Sequence, residues 1–183
     1  MSLKLKAQTA FDLGLLNLAR VASYKFGVRT GFNPVKRISQ STITGKLFRH
    51  SVCLSEFKQN QPYQFSPFGW LPDLSVQNIK WDRSVLTGCY FSEMNQPWFN
   101  LSDFNSDVGD IKGIWEASRF DWALGLAIDY LAGREAALDD LNAAAKSWLD
   151  KNPPYLGPNW KCGQEASIRV MHLAFTAKLL NQV

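Results

Sequence analysis

The sequence has no uncharged apolar stretch long enough to cross a bilayer, so a membrane-spanning helix is not expected. It has no Lys/Arg run and no nucleic-acid-binding motif, and a nucleic-acid partner is therefore not expected. Cysteine is sparse: Cys53, Cys89 and Cys162 are odd in number and lack paired spacing. That argues against a disulfide scaffold and against a zinc site, and a buried free thiol is expected at each position. His50 and His172 are the only histidines. Charge of one sign is also scarce. The 20 Lys and Arg outnumber the 16 Asp and Glu by a modest +4, and the absence of low-complexity tracts excludes disorder as the general state of the chain. No cofactor or metal is called for.

What is present fits one folded domain, or one and a fraction: 183 residues, 46% apolar and 20% charged. Aromatics are plentiful, with seven Trp. Such residues either stack on flat ligands such as sugars or fill a Trp-rich core. Basic residues gather near the start, at Lys4, Lys6, Arg20, Lys25, Arg29, Lys36 and Arg37. They favour anionic partners weakly, and a solvated basic face explains them as well. Asp12, Asn17 and Arg20 interrupt the apolar part of this segment, so it does not read as a secretory leader and a cytoplasmic location is the default. Phe11–Phe26 reads instead as an amphipathic helix, punctuated by Gly27 and Gly31. It suits a membrane surface or, more simply, packing on the rest of the chain.

Three zones follow along the chain: this helix, an irregular stretch from Phe32 to about Asp107, and a helical end. The middle zone carries Pro34, Pro62, Pro67, Pro72 and Pro97 with Trp70, Trp81 and Trp98. Its short apolar pieces, Ser51–Phe57 and Ser84–Phe91, fit strands or single turns equally. Residues 1–107 are thus an N-terminal helix plus a wrapping segment. Residues 108–183 form helical hairpins, and the two parts together are expected to make one structural unit.

In the last zone, helix one is expected from Asp110 to Leu131, capped by Asp110 and ended by Gly133. Helix two spans Glu135–Leu149. Leu138, Leu141, Ala145, Trp148 and Leu149 form its inner stripe, Asp139 and Asp140 face water, and Asn152-Pro153-Pro154 stops it. The short Ala132-Gly133-Arg134 link makes these two antiparallel neighbours. Helix three runs from Gly163 to the C-terminus. Two apolar stripes flank a polar one of Glu165, Arg169, His172 and Thr176, a pattern that predicts burial on two sides. Glu165 and Arg169 either pair with each other or face a ligand. On helix one, Trp115, Arg119, Trp122, Leu126 and Tyr130 share a stripe, with Glu116 beside Arg119. An Arg between Trp rings suits a sugar carboxylate, or snorkels over a core with Glu116 as its partner.

The strings DIKGIWEASRFDWALGLAIDYLAG and SWLDKNPPYLGPNWKCGQEASIRVMHLAF carry a pattern of pieces in order. They are Asp110-Ile111-Lys112, Trp115-Glu116 with Arg119, Trp148, Asn152-Pro153, Gly157, Asn159-Trp160, Glu165 and Arg169. This pattern resembles the N-terminal domain of the heparinase II/III-like family over roughly the last seventy-five residues. ARVASYKFGVRTGFNPVKRIS also resembles the start of the bacterial subgroup linked to surface-polysaccharide gene clusters. The middle zone matches poorly.

The resemblance implies a mainly α chain forming part of an incomplete α/α toroid, in a family that cleaves uronic-acid polysaccharides by β-elimination. It implies an acidic polysaccharide or oligosaccharide as partner, and allows a periplasmic or cell-envelope location. The implied substrate-binding set is Trp115, Glu116, Arg119, Asn159, Trp160, Glu165 and Arg169. The reaction needs a carboxylate neutraliser, a base and an acid, which the family supplies as Asn, Tyr and His. An Asn-His pair is expected one helix beyond Asn159-Trp160, yet the sequence contains no Asn-His dipeptide. No catalytic residue is therefore assigned, and the chain reads as an inactive N-terminal part of such a lyase. The alternatives are a non-catalytic glycan-binding module and a helical assembly module completed by a partner or a second copy. A glycoside hydrolase would need opposed carboxylates, for which Glu116 and Glu165 are the candidates.

Overall fold

The computed structural model describes residues 3–34, 44–50 and 61–182. The chain divides into two compact units, Met1–Thr42 and Ile43–Val183. The expected strand or turn at Ser51–Phe57, and Cys53 within it, lie outside the described residues.

In the first unit the single expected helix is two. Helix α1 spans Leu3–Leu13 and α2 spans Leu15–Thr30. Gly14 separates them at φ 77°, a conformation that a residue with a Cβ resists. Gly27 does not end α2; Gly31 does, in the left-handed conformation of a C-terminal cap.

The second unit is mainly helical and is built on α4 (Asp121–Leu131), α5 (Ala136–Lys151) and α6 (Gly163–Leu179), with α4 packed against both others. Helix α5 follows most of the expected stripe: Leu138, Leu141, Ala145 and Trp148 are buried and Asp139 is exposed, whereas Leu149, at the edge of the stripe, and Asp140, at the cavity mouth, are both half-buried. The residue after it, Asn152, is buried, and its side chain donates to the Trp148 carbonyl at 2.8 Å. Two more amides act as backbone mimics. Asn142 of α5 exchanges hydrogen bonds with both backbone groups of Phe48, and Gln182 accepts from Arg49 N–H at 3.0 Å. These bonds stitch residues 44–50 onto the helices.

Residues 61–103 are irregular, with single 3-10 turns at Val76–Asn78 and Trp98–Asn100 and a turn at Pro67–Gly69 in which Phe68 holds a positive φ. Ser84–Phe91 forms no strand; its Tyr90 makes an isolated bridge with Arg83 just before the stretch. Strand β1 (Phe104–Asn105) pairs antiparallel with β2 (Gly109–Asp110). The wrap contributes Phe65, Val76, Ile79 and Trp81 to the same core as Trp122, Leu138 and Trp148. A free Cys89 is exposed and Cys162 is half-buried, which corrects the expectation of a buried thiol at each.

Helix one is the main departure. It breaks into α3 (Lys112–Trp115), a 3-10 turn at Glu116–Ser118 and then α4. Phe120 sits between at φ 69°, the left-handed region, without being glycine. Its ring compensates by lying edge-on to Trp122 at 5.0 Å and to Trp148 at 4.9 Å. The expected stripe from Trp115 to Tyr130 is therefore not one helical face. Asp110 still acts at the start, accepting from Lys112 N–H at 3.0 Å.

Helix α6 also turns differently from the expectation. Its polar stripe is the buried one: Glu165, Arg169 and Thr176 are enclosed while Val170, Met171 and Phe175 are exposed. The reason lies in the partners that await Glu165 and Arg169 on neighbouring segments.

Candidate functional site

Three pieces of chain meet around the polar stripe: the α3 and 3-10 segment, the Pro158–Trp160 turn, and the first half of α6. Arg119 is the centre. Its Nε donates to Glu165 Oε2 and its Nη2 to Glu165 Oε1, both at 2.8 Å, and its Nη1 donates to Glu116 Oε2 at 2.6 Å. A fork on one carboxylate plus a bond to a second is the strong form of this interaction. The hydrogen bond to Glu165 leads in holding the guanidinium above its ordinary proton affinity. The spacing suggested Glu165 with Arg169; the structure pairs Glu165 with Arg119, 46 residues away.

Arg169 lies beside this pair and is almost fully buried. Its Nη2 donates to the Asn159 carbonyl at 2.6 Å, and its guanidinium carbon sits 5.1 Å from the Trp148 ring and 5.6 Å from the Trp160 ring. Burial lowers its proton affinity to about 10. Trp160 donates to the Asn152 carbonyl at 3.1 Å, Trp115 to the Pro158 carbonyl at 2.8 Å, and Asn159 to Asn152 Oδ1 at 2.7 Å. All seven residues of the expected set thus gather in one place. Their functional groups are mostly engaged, by one another or by Asn152, Pro158 and Phe68, while Asn159 Oδ1 and Arg169 Nη1 are buried without a hydrogen-bond partner; Trp115, Glu116, Asn159, Glu165 and Arg169 are buried, and Trp160 and Arg119 are half-buried. Two arginines and two glutamates cancel in charge.

The side of this cluster that reaches solvent carries groups outside the expected set. The second oxygen of Glu116 accepts the backbone N–H of Phe68 at 2.6 Å. Phe68 holds a left-handed φ of 54°, and its ring stacks on Trp70 with centroids 6.2 Å apart and planes 24° apart. Trp70 is 71% exposed, unusual for the largest apolar side chain. His172 Nδ1 lies 2.6 Å from the Arg119 carbonyl. Asp121 is mostly enclosed, and burial raises its carboxyl above the usual range, with Glu116 adding to the effect. Nothing in the local sequence around Trp70 separates it from the other Trp residues; the signal is its exposure.

A cavity of about 590 Å³ opens elsewhere on this unit, lined by Tyr63, Asp73, Asp129, Arg134, Glu135 and Asp140 among others, and by none of the seven expected residues. Asp129 pairs with Arg134 there and accepts the Tyr63 backbone N–H at 2.8 Å. Burial, then the nearby aspartates, push the Tyr63 hydroxyl upward. Among the described residues, no group of His, Cys, Asp and Glu could hold a metal ion, and no helix is long and apolar enough to cross a membrane.

Comparison with protein families, with curated proteins and with solved structures finds no match.

Proposed function

We propose that this chain is a non-catalytic, glycan-contacting helical module of the heparinase II/III-like kind, a partial α/α toroid that binds uronic-acid-containing surface polysaccharide without cleaving it. The observation that carries this reading is the Phe68–Trp70 pair, an aromatic platform whose Trp70 ring is exposed and whose half-buried Phe68 is tied through Glu116 to Arg119. Sugar rings stack on such platforms by apolar contact, and Trp is the best suited of the aromatics. Arg119 keeps 29% of its side chain exposed, so its edge can meet a sugar carboxylate beside the platform. Because Glu116 and Glu165 already neutralise it, stacking supplies most of the affinity and charge supplies orientation.

Calorimetric titration with oligomers of a hexuronic acid tests this. Heat of binding that saturates, with no growth in the absorbance of unsaturated uronate, is the expected result. Turnover would make the chain a lyase; absence of binding would leave the second reading. That second reading is a helical assembly module, and one observation favours it: Val170, Met171 and Phe175 are exposed on a helix whose other side is buried. A dimer that dissociates on Phe175→Asp, without sugar affinity, is its signature.

A further inference from the structure

The helical unit at the start of the chain has a composition and a surface that the glycan reading does not use. Seven of the 20 Lys and Arg but one of the 16 Asp and Glu lie within its 42 residues, so it carries +6 while the remaining chain carries −2. Among its described side chains Val28 alone is buried. On α2, Leu15, Ala19, Ala22 and Phe26 recur at helical spacing and all are exposed, Leu15 by 85% and Phe26 by 64%. Phe11 before the Gly14 break is 88% exposed and Phe32 after the Gly31 cap is 71% exposed. Arg20, Lys25 and Arg29 are exposed on the same helix.

We propose that this unit docks on an anionic lipid surface, α2 lying in the plane of the headgroups with Leu15 and Phe26 inserted and Arg20, Lys25 and Arg29 on the phosphates. Helices with exposed apolar side chains and cationic flanks bind at this depth, and long basic side chains reach back to the headgroups from an inserted helix. The 16 residues of α2 span about 24 Å, short of the roughly 30 Å hydrocarbon core, and three of them are cationic, so the helix lies on the bilayer instead of crossing it. The sign of the unit selects the surface: +6 complements phosphatidylglycerol or similar headgroups, and a neutral bilayer offers no such attraction.

The test is co-sedimentation of the full chain with phosphatidylcholine vesicles, prepared with and without phosphatidylglycerol. Pelleting with the anionic vesicles, weak pelleting with the neutral ones and release at high salt are expected. Lys25→Gln and Arg29→Gln should each weaken partitioning by about fivefold. Leu15→Asp combined with Phe26→Asp should weaken it by roughly tenfold or more. Circular dichroism of each variant should match the parent, since the altered side chains are exposed. Indifference to lipid charge, or pelleting that survives the double Asp variant, overturns the proposal. So does a soluble dimer lost on Phe26→Asp without lipid affinity, which would make the face a protein contact.

Discussion

Replacing Glu165 with Gln probes the junction on which the second unit turns. Glu165 has 5% of its side chain exposed and accepts two bonds from Arg119. Gln offers one acceptor, no charge, and an amide N–H₂ facing a guanidinium that also donates. Removing one partner of a fully buried ion pair costs about 3–5 kcal/mol. Arg119 is partly exposed and keeps Glu116, so a smaller cost of roughly 1.5–3 kcal/mol is expected. Arg169 raises the figure within that range, because Glu165 is its countercharge too. For a chain of this length the loss corresponds to a fall in Tm of about 3–12 °C. Urea unfolding of Glu165→Gln beside the parent measures it, with Lys112→Ala, from an exposed pair at 3.5 Å, as a control within about 0.5 kcal/mol. Adding Arg119→Met to Glu165→Gln should deepen the loss, because Glu116 is buried and would then be left without its cation. A cost no larger than the control would mean that Arg119 turns to water and that the polar face of α6 is not held by this pair.

Trp148→Ala should cost about 3–5 kcal/mol, because the ring is buried against Phe120 and Trp160 and its Nε1 donates to Ser118 Oγ at 2.9 Å; thermal unfolding reads this directly. Gly157→Ala should destabilise by about 1–3 kcal/mol in the same assay, since φ is 76° and a Cβ would meet the Met94 carbonyl oxygen at 2.8 Å. Asp121→Asn should behave oppositely. Burial raises the Asp121 carboxyl, so the folded chain binds more protons than the unfolded one between its ordinary and raised values, and stability falls as pH rises through that window. Asn removes the penalty, so the variant should melt higher than the parent at neutral pH and alike below the window; a variant that melts lower at neutral pH refutes the assignment.

Helices whose ends are written in local chemistry were legible. Pro153 and Pro154 stop α5, and its stripe at 138, 141, 145 and 148 needed only counting. The break before α4 was not legible, because Phe120 adopts the left-handed region without glycine and is paid for by aromatic contacts with Trp122 and Trp148. The orientation of α6 departs from its apolar periodicity for a related reason. Counting apolar residues favours burying Met171 and Phe175, whereas the partner of Glu165 is an arginine 46 positions earlier that periodicity along one helix cannot reveal. The seven residues singled out from the sequence do converge, although mainly on one another. Trp70, named only as one Trp of the middle zone, and Phe68 stand outside that set because the exposure of Trp70 and its stacking on Phe68, rather than residue type, distinguish them.

Calorimetric titration of Trp70→Ala, beside the parent, with the same hexuronic-acid oligomers tests whether the platform binds sugar. Trp70 is exposed, so its removal leaves the fold intact and only the platform changes. Each sugar ring stacked on an aromatic contributes on the order of 1 kcal/mol, so a roughly fivefold loss of affinity is expected in the variant. Equal affinity for the two proteins would contradict it.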